Sequence, residues 1–357
     1  MPRIDIIDYI RGGAMLLVIV QHCNFLSTEI LAFHMPLFFV LSGYIFKYKE
    51  DIGTNYKRIN LYEYARKRFY RIMIPYFCFE FISFILAFSI HHLFAFLKLG
   101  DVYMNLDLKA AIIDSITCIQ TPSYMGIIPH LWFFPCIYVA DIFFVLLRKY
   151  LNANILWFIA GSLLLSYGTQ LLTFRLPFNI DTAFMGLFFL LIGYQYKTLI
   201  NKVLKAYRGG GVFTLIPSIP LFLYLITKNK EPFLMFTNHY GNYFYAIPAA
   251  ILGIYIFMVL IVFLKKHDLI PIKLLTFFSK NSLLVFPLHL MFMSFYSKIF
   301  EFSKINVLIQ EGYFKSGIML LLVILSVIVA TPFINKFLPI LTGNYIPRKY
   351  TINHEKK

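Results

Sequence analysis

Charged residues are scarce in this chain, and their scarcity excludes an ordinary soluble protein. Only 14% of the 357 residues are charged, whereas 59% are hydrophobic. A soluble domain of this length needs far more polar surface, so lipid must surround much of the chain. The sequence also lacks an internal repeat or a Ser/Pro-rich linker between its apolar segments. We therefore expect one transmembrane domain over residues 1–345 and a short basic cytoplasmic tail over residues 346–357.

Cysteine pairs are missing as well. The four cysteines have no CxxC spacing and are Cys23, Cys78, Cys118 and Cys136. This pattern predicts neither a disulfide framework nor a zinc site, and we expect no metal cofactor. The first apolar run is not followed by a small-residue cleavage site, so we expect the N-terminus to be retained.

Long apolar runs dominate what is there. A helix of about 20 apolar residues crosses roughly 30 Å of hydrocarbon. Segments that reach or approach this length lie near residues 8–27, 32–47, 70–97, 131–148, 153–173, 181–197, 211–227, 243–264, 280–299 and 317–338. We predict an all-α, polytopic integral membrane protein of about ten transmembrane helices. The second segment is short and contains Pro36, which predicts a tilt, a kink or partial re-entry.

The distribution of Lys and Arg predicts the orientation. The formal net charge is +16, and a cytoplasmic N-terminus would place most of these cations in cytoplasmic segments. Such an excess of positive charge inside is typical of membrane proteins. We therefore expect both termini to be cytoplasmic. The basic balance then needs no nucleic-acid partner.

Two ionisable residues, Arg11 and His22, lie in the first apolar segment. Such residues are costly in a bilayer and are functional candidates by default. At about 100° per residue, their spacing places both on one helix face, about 16 Å apart along the axis. This geometry fits an acyl-coenzyme A whose phosphate binds Arg11 while its thioester reaches the imidazole, which is suited to act as a general base. In the alternative interpretation Arg11 anchors the topology and His22 is a hydrogen-bonded structural residue.

Three further histidines fall at a similar predicted depth. His34 begins the second segment, His130 precedes the fourth segment next to Trp132, and His289 lies seven residues, about two turns, after Ser282. Histidines from four helices at one depth predict a polar cavity that opens to the extracytoplasmic side.

A basic cluster before the third segment is a second candidate site. Arg66, Arg68 and Arg71 lie close together, and the last two are three residues apart, which suits a pyrophosphate or ribose phosphate. The alternative is a simple topology anchor. Three acidic residues could steady an imidazole or pair with an arginine, and they are Glu80, Asp141 and Asp181.

Taken in order, these motifs resemble the membrane acyltransferase-3 family. The resemblance is carried by Asp8-Tyr9-Ile10-Arg11-Gly12 with His22, by the stretches 34–44 and 66–76, by His130-Leu131-Trp132-Phe133 and by Ser282 with His289. The form His34-Met35-Pro36-Leu37-Phe38-Phe39 is similar to the fucose 4-O-acetylase-like subgroup.

The resemblance implies an O-acyltransferase, expected to be an O-acetyltransferase, of the bacterial plasma membrane. It implies cytoplasmic acetyl-CoA as donor and a hydroxyl of a cell-surface or lipid-linked glycan as acceptor. Arg11 and His22 are then essential, with His34 as a third catalytic candidate. The implied donor-binding residues are Arg11, Arg66, Arg68 and Arg71, and we assign acceptor binding to His130, Trp132, His289 and Ser282.

Several alternatives stay open at this stage. Direct transfer and a covalent acyl-histidine intermediate both fit the residues. A polysaccharide or glycolipid transporter or flippase would also have about ten helices and buried cations, but the matching interrupted helices of inverted repeats are not evident. A polysaccharide polymerase is a further alternative. The expected partners are membrane lipid and the glycan acceptor, and the sequence leaves a homo-oligomer open.

Overall fold

Helices make up nearly all the regular structure, as the apolar periodicity predicts. A computed structural model describes residues 3–46, 60–96, 108–119, 131–151, 154–206, 211–302 and 312–343. In these ranges the sole β-type pairing is one isolated bridge between Leu234 and His239. The predicted all-α class is therefore confirmed.

The described helices, numbered in chain order, have the following bounds: α1 Arg3–His22, α2 Ser27–Leu31, α3 His34–Ile45, α4 Leu61–Arg68, α5 Ile74–Phe96, α6 Leu108–Thr117, α7 Phe133–Tyr150, α8 Ile155–Gln170, α9 Ile180–Gln195, α10 Lys197–Ala206, α11 Leu215–Lys228, α12 Tyr243–Lys266, α13 Ile272–Lys280, α14 Ser282–Phe302 and α15 Tyr313–Phe337. A π-helical turn, Phe69–Met73, joins α4 to α5. Short 3₁₀ turns precede α9 and α11, lie before α12 and follow α15.

Six helical segments of the described chain are long and apolar enough to cross a membrane. They are Thr28–Ile45, Leu61–Leu86, Pro177–Gln195, Tyr243–Lys266, Ser282–Phe300 and Tyr313–Phe337. Ile155–Gln170 and Val212–Lys228 are apolar but shorter. These segments support a multi-pass membrane protein. Each predicted span overlaps a helix, while the count of about ten and the orientation of the termini stay predictions.

The first predicted span needs a correction at its C-terminal end. The apolar run continues to about residue 27, but α1 ends at His22. Asn24 and Leu26 then take left-handed backbone angles, with φ of 63° and 45°, and the chain turns into α2. A left-handed residue cannot continue a right-handed helix. His22 is therefore the last residue of α1 and stands at the start of a turn.

Small residues allow the central helices to pack closely. α3 lies against α9, where a Cβ on Gly43 would overlap the carbonyl oxygen of Leu190 and a Cβ on Gly193 would overlap that of Val40. In the same way, Gly12 lets α1 approach the backbone of α13 at Leu275. Close backbone approach of this kind is typical of helix packing in membranes, where dispersion contacts replace the hydrophobic effect as the main stabilising term.

We expect Gly193→Ala to lower the stability of the protein. The added methyl group would collide with the backbone of Val40, and overpacking of this kind costs about 1–3 kcal/mol. The matched control is Gly161→Ala on α8, where an added Cβ meets nothing within 4 Å. Thermal unfolding of the purified protein in detergent measures both. An unchanged Tm for Gly193→Ala would contradict the described α3–α9 packing.

Candidate functional site

One face of α1 lines two consecutive cavities. Arg11 and Met15 line a cavity of about 590 Å³, which we call the basic cavity. Val18 and His22 line a smaller one of about 180 Å³, which we call the histidine cavity. The spacings of four, three and four residues keep all these side chains on one helical stripe. Arg11 and His22 thus lie at the two ends of this row of cavities, which we call the path.

Three other helices follow the same path. α3 contributes His34 to the histidine cavity and Ser42 to the basic cavity. Trp132, directly before α7, lines the histidine cavity, and Asp141, within α7, lines the basic cavity. Phe286 on α14 lines both cavities. One end of the path therefore carries imidazole and indole side chains, and the other end carries charged side chains.

The charged end carries an excess of positive charge. Its wall contains four cationic and two acidic side chains, which are Arg11, Arg68, Arg71, Lys280, Asp8 and Asp141. In a cleft with low-dielectric walls, charge of one sign raises the local concentration of ligands of the opposite sign. The basic cavity is thus suited to an anion, and arginines in particular bind phosphate oxygens in bidentate fashion.

Ion pairs hold two of these arginines in place. Arg68 pairs with Asp141 on α7, whose side chain is almost fully buried. Arg11 Nη1 lies 3.9 Å from Asp8 Oδ1, and the Ser279 hydroxyl donates to the same Asp8 oxygen at 3.1 Å. Asp8 and Ser279 thereby connect the α1 arginine to α13. The charges on α1 and α7 have partners, which a buried charge in an apolar surround requires.

The structure separates the three arginines of the predicted donor site. Arg68 ends α4 and Arg71 lies in the π turn, and both line the basic cavity. The Arg66 guanidinium instead lies over the ring of Tyr62, 5.4 Å from its centroid. Arg66 is not among the residues of the cavity wall. A π turn inside a helix shifts the register of the following residues and is frequent at functional sites.

The histidine cavity brings His22, His34 and Trp132 together. His34 is buried, and its Nδ1 lies 2.8 Å from the carbonyl oxygen of Ile30. A carbonyl oxygen only accepts hydrogen bonds, so Nδ1 carries the proton in the neutral ring and Nε2 is an acceptor. Trp132 offers a donor in its indole N–H. The cavity therefore combines a hydrogen-bond acceptor with a hydrogen-bond donor in the same wall as His22.

Of the remaining predicted residues, His289 lies beside His22. Its ring is fully buried and lies 5.3 Å from the ring of His22, while its Nδ1 donates to the Val285 carbonyl at 3.1 Å. Ser282, two turns away, lines the basic cavity instead. Ser282 and His289 thus lie at two separate positions on α14, and their predicted role in acceptor binding stays a prediction. His130 lies outside the described residues.

A network of hydrogen bonds and one ion pair, which the sequence did not predict, holds one wall of the histidine cavity. Arg175 pairs with Asp181 at the start of α9 and donates to the Phe236 carbonyl at 2.5 Å. Thr182 Oγ1 donates to the Met235 carbonyl at 2.9 Å. These bonds fix the segment 233–236, whose residues line the cavity. Asn179 Nδ2 lies 3.5 Å from the Trp132 carbonyl and so connects the same network to Trp132.

Two of the three acidic residues that the sequence left undecided have arginine partners. Asp141 pairs with Arg68 and Asp181 pairs with Arg175, so both neutralise arginines rather than steady an imidazole. Glu80 is buried on α5. Arg175 itself belongs to a connecting segment, and only its proximity to Asp181 in the sequence could have indicated the pair.

A third cavity, of about 560 Å³, begins at the C-terminal end of α1. We call it the α15 cavity, because α15 forms one wall. Among the described residues, His22 lines both this cavity and the histidine cavity. His22 is therefore shared by the walls of both cavities.

This arrangement can bind an elongated ligand that carries negative charge at one end and a reactive group at the other. An anionic group at Arg11, Arg68 and Arg71 leaves the distal part of such a ligand to follow the α1 stripe to His22. Within the described part of the chain, no group of three or more His, Cys, Asp or Glu side chains is placed to hold a metal ion.

Comparison with known proteins agrees with this geometry. The model of the acyltransferase-3 family, described as an acyltransferase domain, matches residues 4–335. No curated protein and no solved structure matches the chain. The matched range contains every residue of the α1 stripe, all the lining residues of the histidine cavity and all those of the basic cavity except Thr342. The chain belongs to the acyltransferase-3 family and is a membrane acyltransferase.

Proposed function

We propose that this protein is an O-acetyltransferase that moves an acetyl group from cytoplasmic acetyl-CoA to a hydroxyl of a cell-surface or lipid-linked glycan in the bacterial plasma membrane. One observation carries the proposal: a single stripe of α1 connects a cationic cavity at Arg11 to an imidazole cavity at His22. Acetyl-CoA has the matching shape, with phosphates at one end of a narrow arm and a thioester at the other.

The phosphates of the donor would bind in the basic cavity. Arg68 and Arg71 come from the segment around the π turn, Arg11 from α1 and Lys280 from the end of α13. Arg11 and Arg68 are oriented by Asp8 and Asp141, which leaves Arg71 as the arginine with the most exposed position. The arm would then pass Met15 and Phe286 toward the histidine cavity.

His22 would act as the general base. Its imidazole takes the proton of the acceptor hydroxyl, the oxygen attacks the thioester carbonyl, the C–S bond breaks and the coenzyme thiolate receives the proton. His34, with its Nδ1 proton donated to the Ile30 carbonyl, presents an acceptor nitrogen and fits the positioning of a hydroxyl. Trp132 provides an N–H that can stabilise negative charge on the carbonyl oxygen.

Two finer assignments belong to this proposal. Trp132 lines the histidine cavity, where the thioester would lie, and is therefore our candidate for stabilising the oxyanion. The form of residues 34–39 supports placement in the fucose 4-O-acetylase-like subgroup.

A transporter or flippase would use neither the imidazole cluster nor a thioester, and it releases no coenzyme thiol.

We expect His22→Ala to abolish acetyl transfer while the protein stays folded. Loss of a general base typically costs about 10²–10⁴-fold in rate. Purified protein in lipid nanodiscs, supplied with acetyl-CoA and deacylated surface polysaccharide, is assayed for release of free thiol. The control is His267→Ala, which removes an exposed imidazole from the C-terminal end of α12. Wild-type activity in His22→Ala would refute the assignment of the base.

We expect Arg71→Gln to raise the KM for acetyl-CoA by about tenfold or more, because a charge-assisted hydrogen bond contributes roughly 1.5–3 kcal/mol. The kcat at saturating donor should change little. Arg71 is preferred over Arg68 for this test, because removing Arg68 would leave the buried Asp141 carboxylate without its cation.

The matched control for Arg71→Gln is Lys67→Gln, which removes an exposed cation from the neighbouring helix α4. Initial rates over a range of acetyl-CoA concentrations measure the KM of both variants. An equal rise in KM in both variants would mean that the basic residues attract acetyl-CoA through their overall charge. It would contradict a specific donor site in the basic cavity.

A further inference from the structure

The α15 cavity is not used by the donor path described above. It lies between the C-terminal end of α1, the middle of α14 and the first turns of α15. Its volume of about 560 Å³ is within the range of about 300–1,000 Å³ typical of small-ligand sites. The cavity is therefore large enough to hold a sugar unit.

The wall of this cavity is rich in hydrogen-bonding groups. Asn24 supplies an amide, Ser297 and Ser316 supply hydroxyls and Lys315 supplies an ammonium group. These groups include both donors and acceptors, as a polyhydroxylated ligand requires. Tyr313 lies on the same wall, and its ring stacks on that of Phe25 at a centroid distance of 5.8 Å. Tyr313 thus adds an aromatic ring of the kind that packs against a sugar.

The turn after α1 explains why the two chambers meet at one residue. α1 ends at His22, and the left-handed Asn24 directs the chain away from the helix axis. His22 consequently faces the histidine cavity beside His34 and also the α15 cavity beside Asn24. A ligand in each chamber could therefore contact the same imidazole at the same time.

We infer that the α15 cavity is the acceptor site and that it binds a carbohydrate with one hydroxyl directed at His22. The inference rests on the proposed acetyltransferase function and deepens it. The hydroxyl loses its proton to His22 and its oxygen attacks the thioester carbonyl carbon at His22, where the two cavities adjoin. The C–S bond then breaks, and the coenzyme thiolate takes the proton from His22. Separate chambers for donor and acceptor favour direct transfer within a ternary complex.

The test fills the cavity from two opposite walls. Ser316→Trp on α15 and Ser297→Trp on α14 each place an indole in the space that the sugar would occupy. The control is Leu321→Trp, a substitution at an exposed position on α15. Each variant is expressed in a strain that lacks this protein, and mass spectrometry measures the acetyl content of its surface polysaccharide. Purified variants are tested for stabilisation by acetyl-CoA in thermal unfolding.

We expect both serine variants to lower polysaccharide acetylation at least tenfold while acetyl-CoA still raises their Tm as in the wild type. Leu321→Trp should keep wild-type acetylation. Normal acetylation in both serine variants would overturn the acceptor assignment and leave the proposed function standing. If the wild type itself adds no acetyl group, the proposed function fails first.

A milder variant keeps the test decisive if an indole disturbs folding. The double substitution Lys315→Gln and Ser316→Ala removes one positive charge and one hydroxyl without adding volume. We expect it to raise the KM for the deacylated polysaccharide by about tenfold, with the KM for acetyl-CoA unchanged. Equal changes in both constants, or none, would contradict an acceptor role for the cavity.

Discussion

The position of α1 is the constraint on which the site depends. Its glycine at position 12 brings the helix against the backbone of α13 at Leu275, and the Asp8 carboxylate accepts from Ser279 on that same helix. Asp8 also lies close enough to pair with Arg11. These contacts with α13 thus help to set the height and rotation of α1. Because one stripe of α1 carries both Arg11 and His22 at a separation fixed by the helix rise, they also position the two residues in their cavities.

Charge pairing makes this arrangement possible in an apolar protein. A charged side chain inside a membrane protein costs several kcal/mol unless it meets a partner or water. The buried carboxylates of Asp141 and Asp181 are each bound to an arginine. The first pair supports the basic cavity, and the second holds the segment over the histidine cavity. Both ends of the path are therefore fixed by electrostatic contacts, while the helices between them are held by close packing of small and aromatic residues.

Sequence reasoning could predict the helical stripe from Arg11 to His22, because helical periodicity is local and strong. It also indicated that His34 and Trp132 belong with His22, since both stand at helix starts of similar depth. The end of α1 was missed: hydropathy continues past His22, although Asn24 is a residue type that tolerates the left-handed region. Arg66 and Arg68 are two residues apart on α4 and therefore lie on different helix faces, which periodicity alone could have indicated. The position of Arg71 depends on a π turn that no sequence pattern marks. The pairing of Arg175 with Asp181 and the α15 cavity depend on contacts between distant segments, which lie beyond local patterns.

The central claim is that the anionic end of the donor lies at the arginines and its acyl end lies at His22. An acyl-CoA with a photoreactive diazirine in its acyl chain tests this directly, because irradiation marks the residues that surround the acyl tip. Peptide mapping by mass spectrometry should find the label between Val18 and His22 or at Trp132, and excess unlabelled acetyl-CoA should suppress it. Labelling confined to the neighbourhood of Arg71, or to lipid-facing residues of α15, would contradict the account.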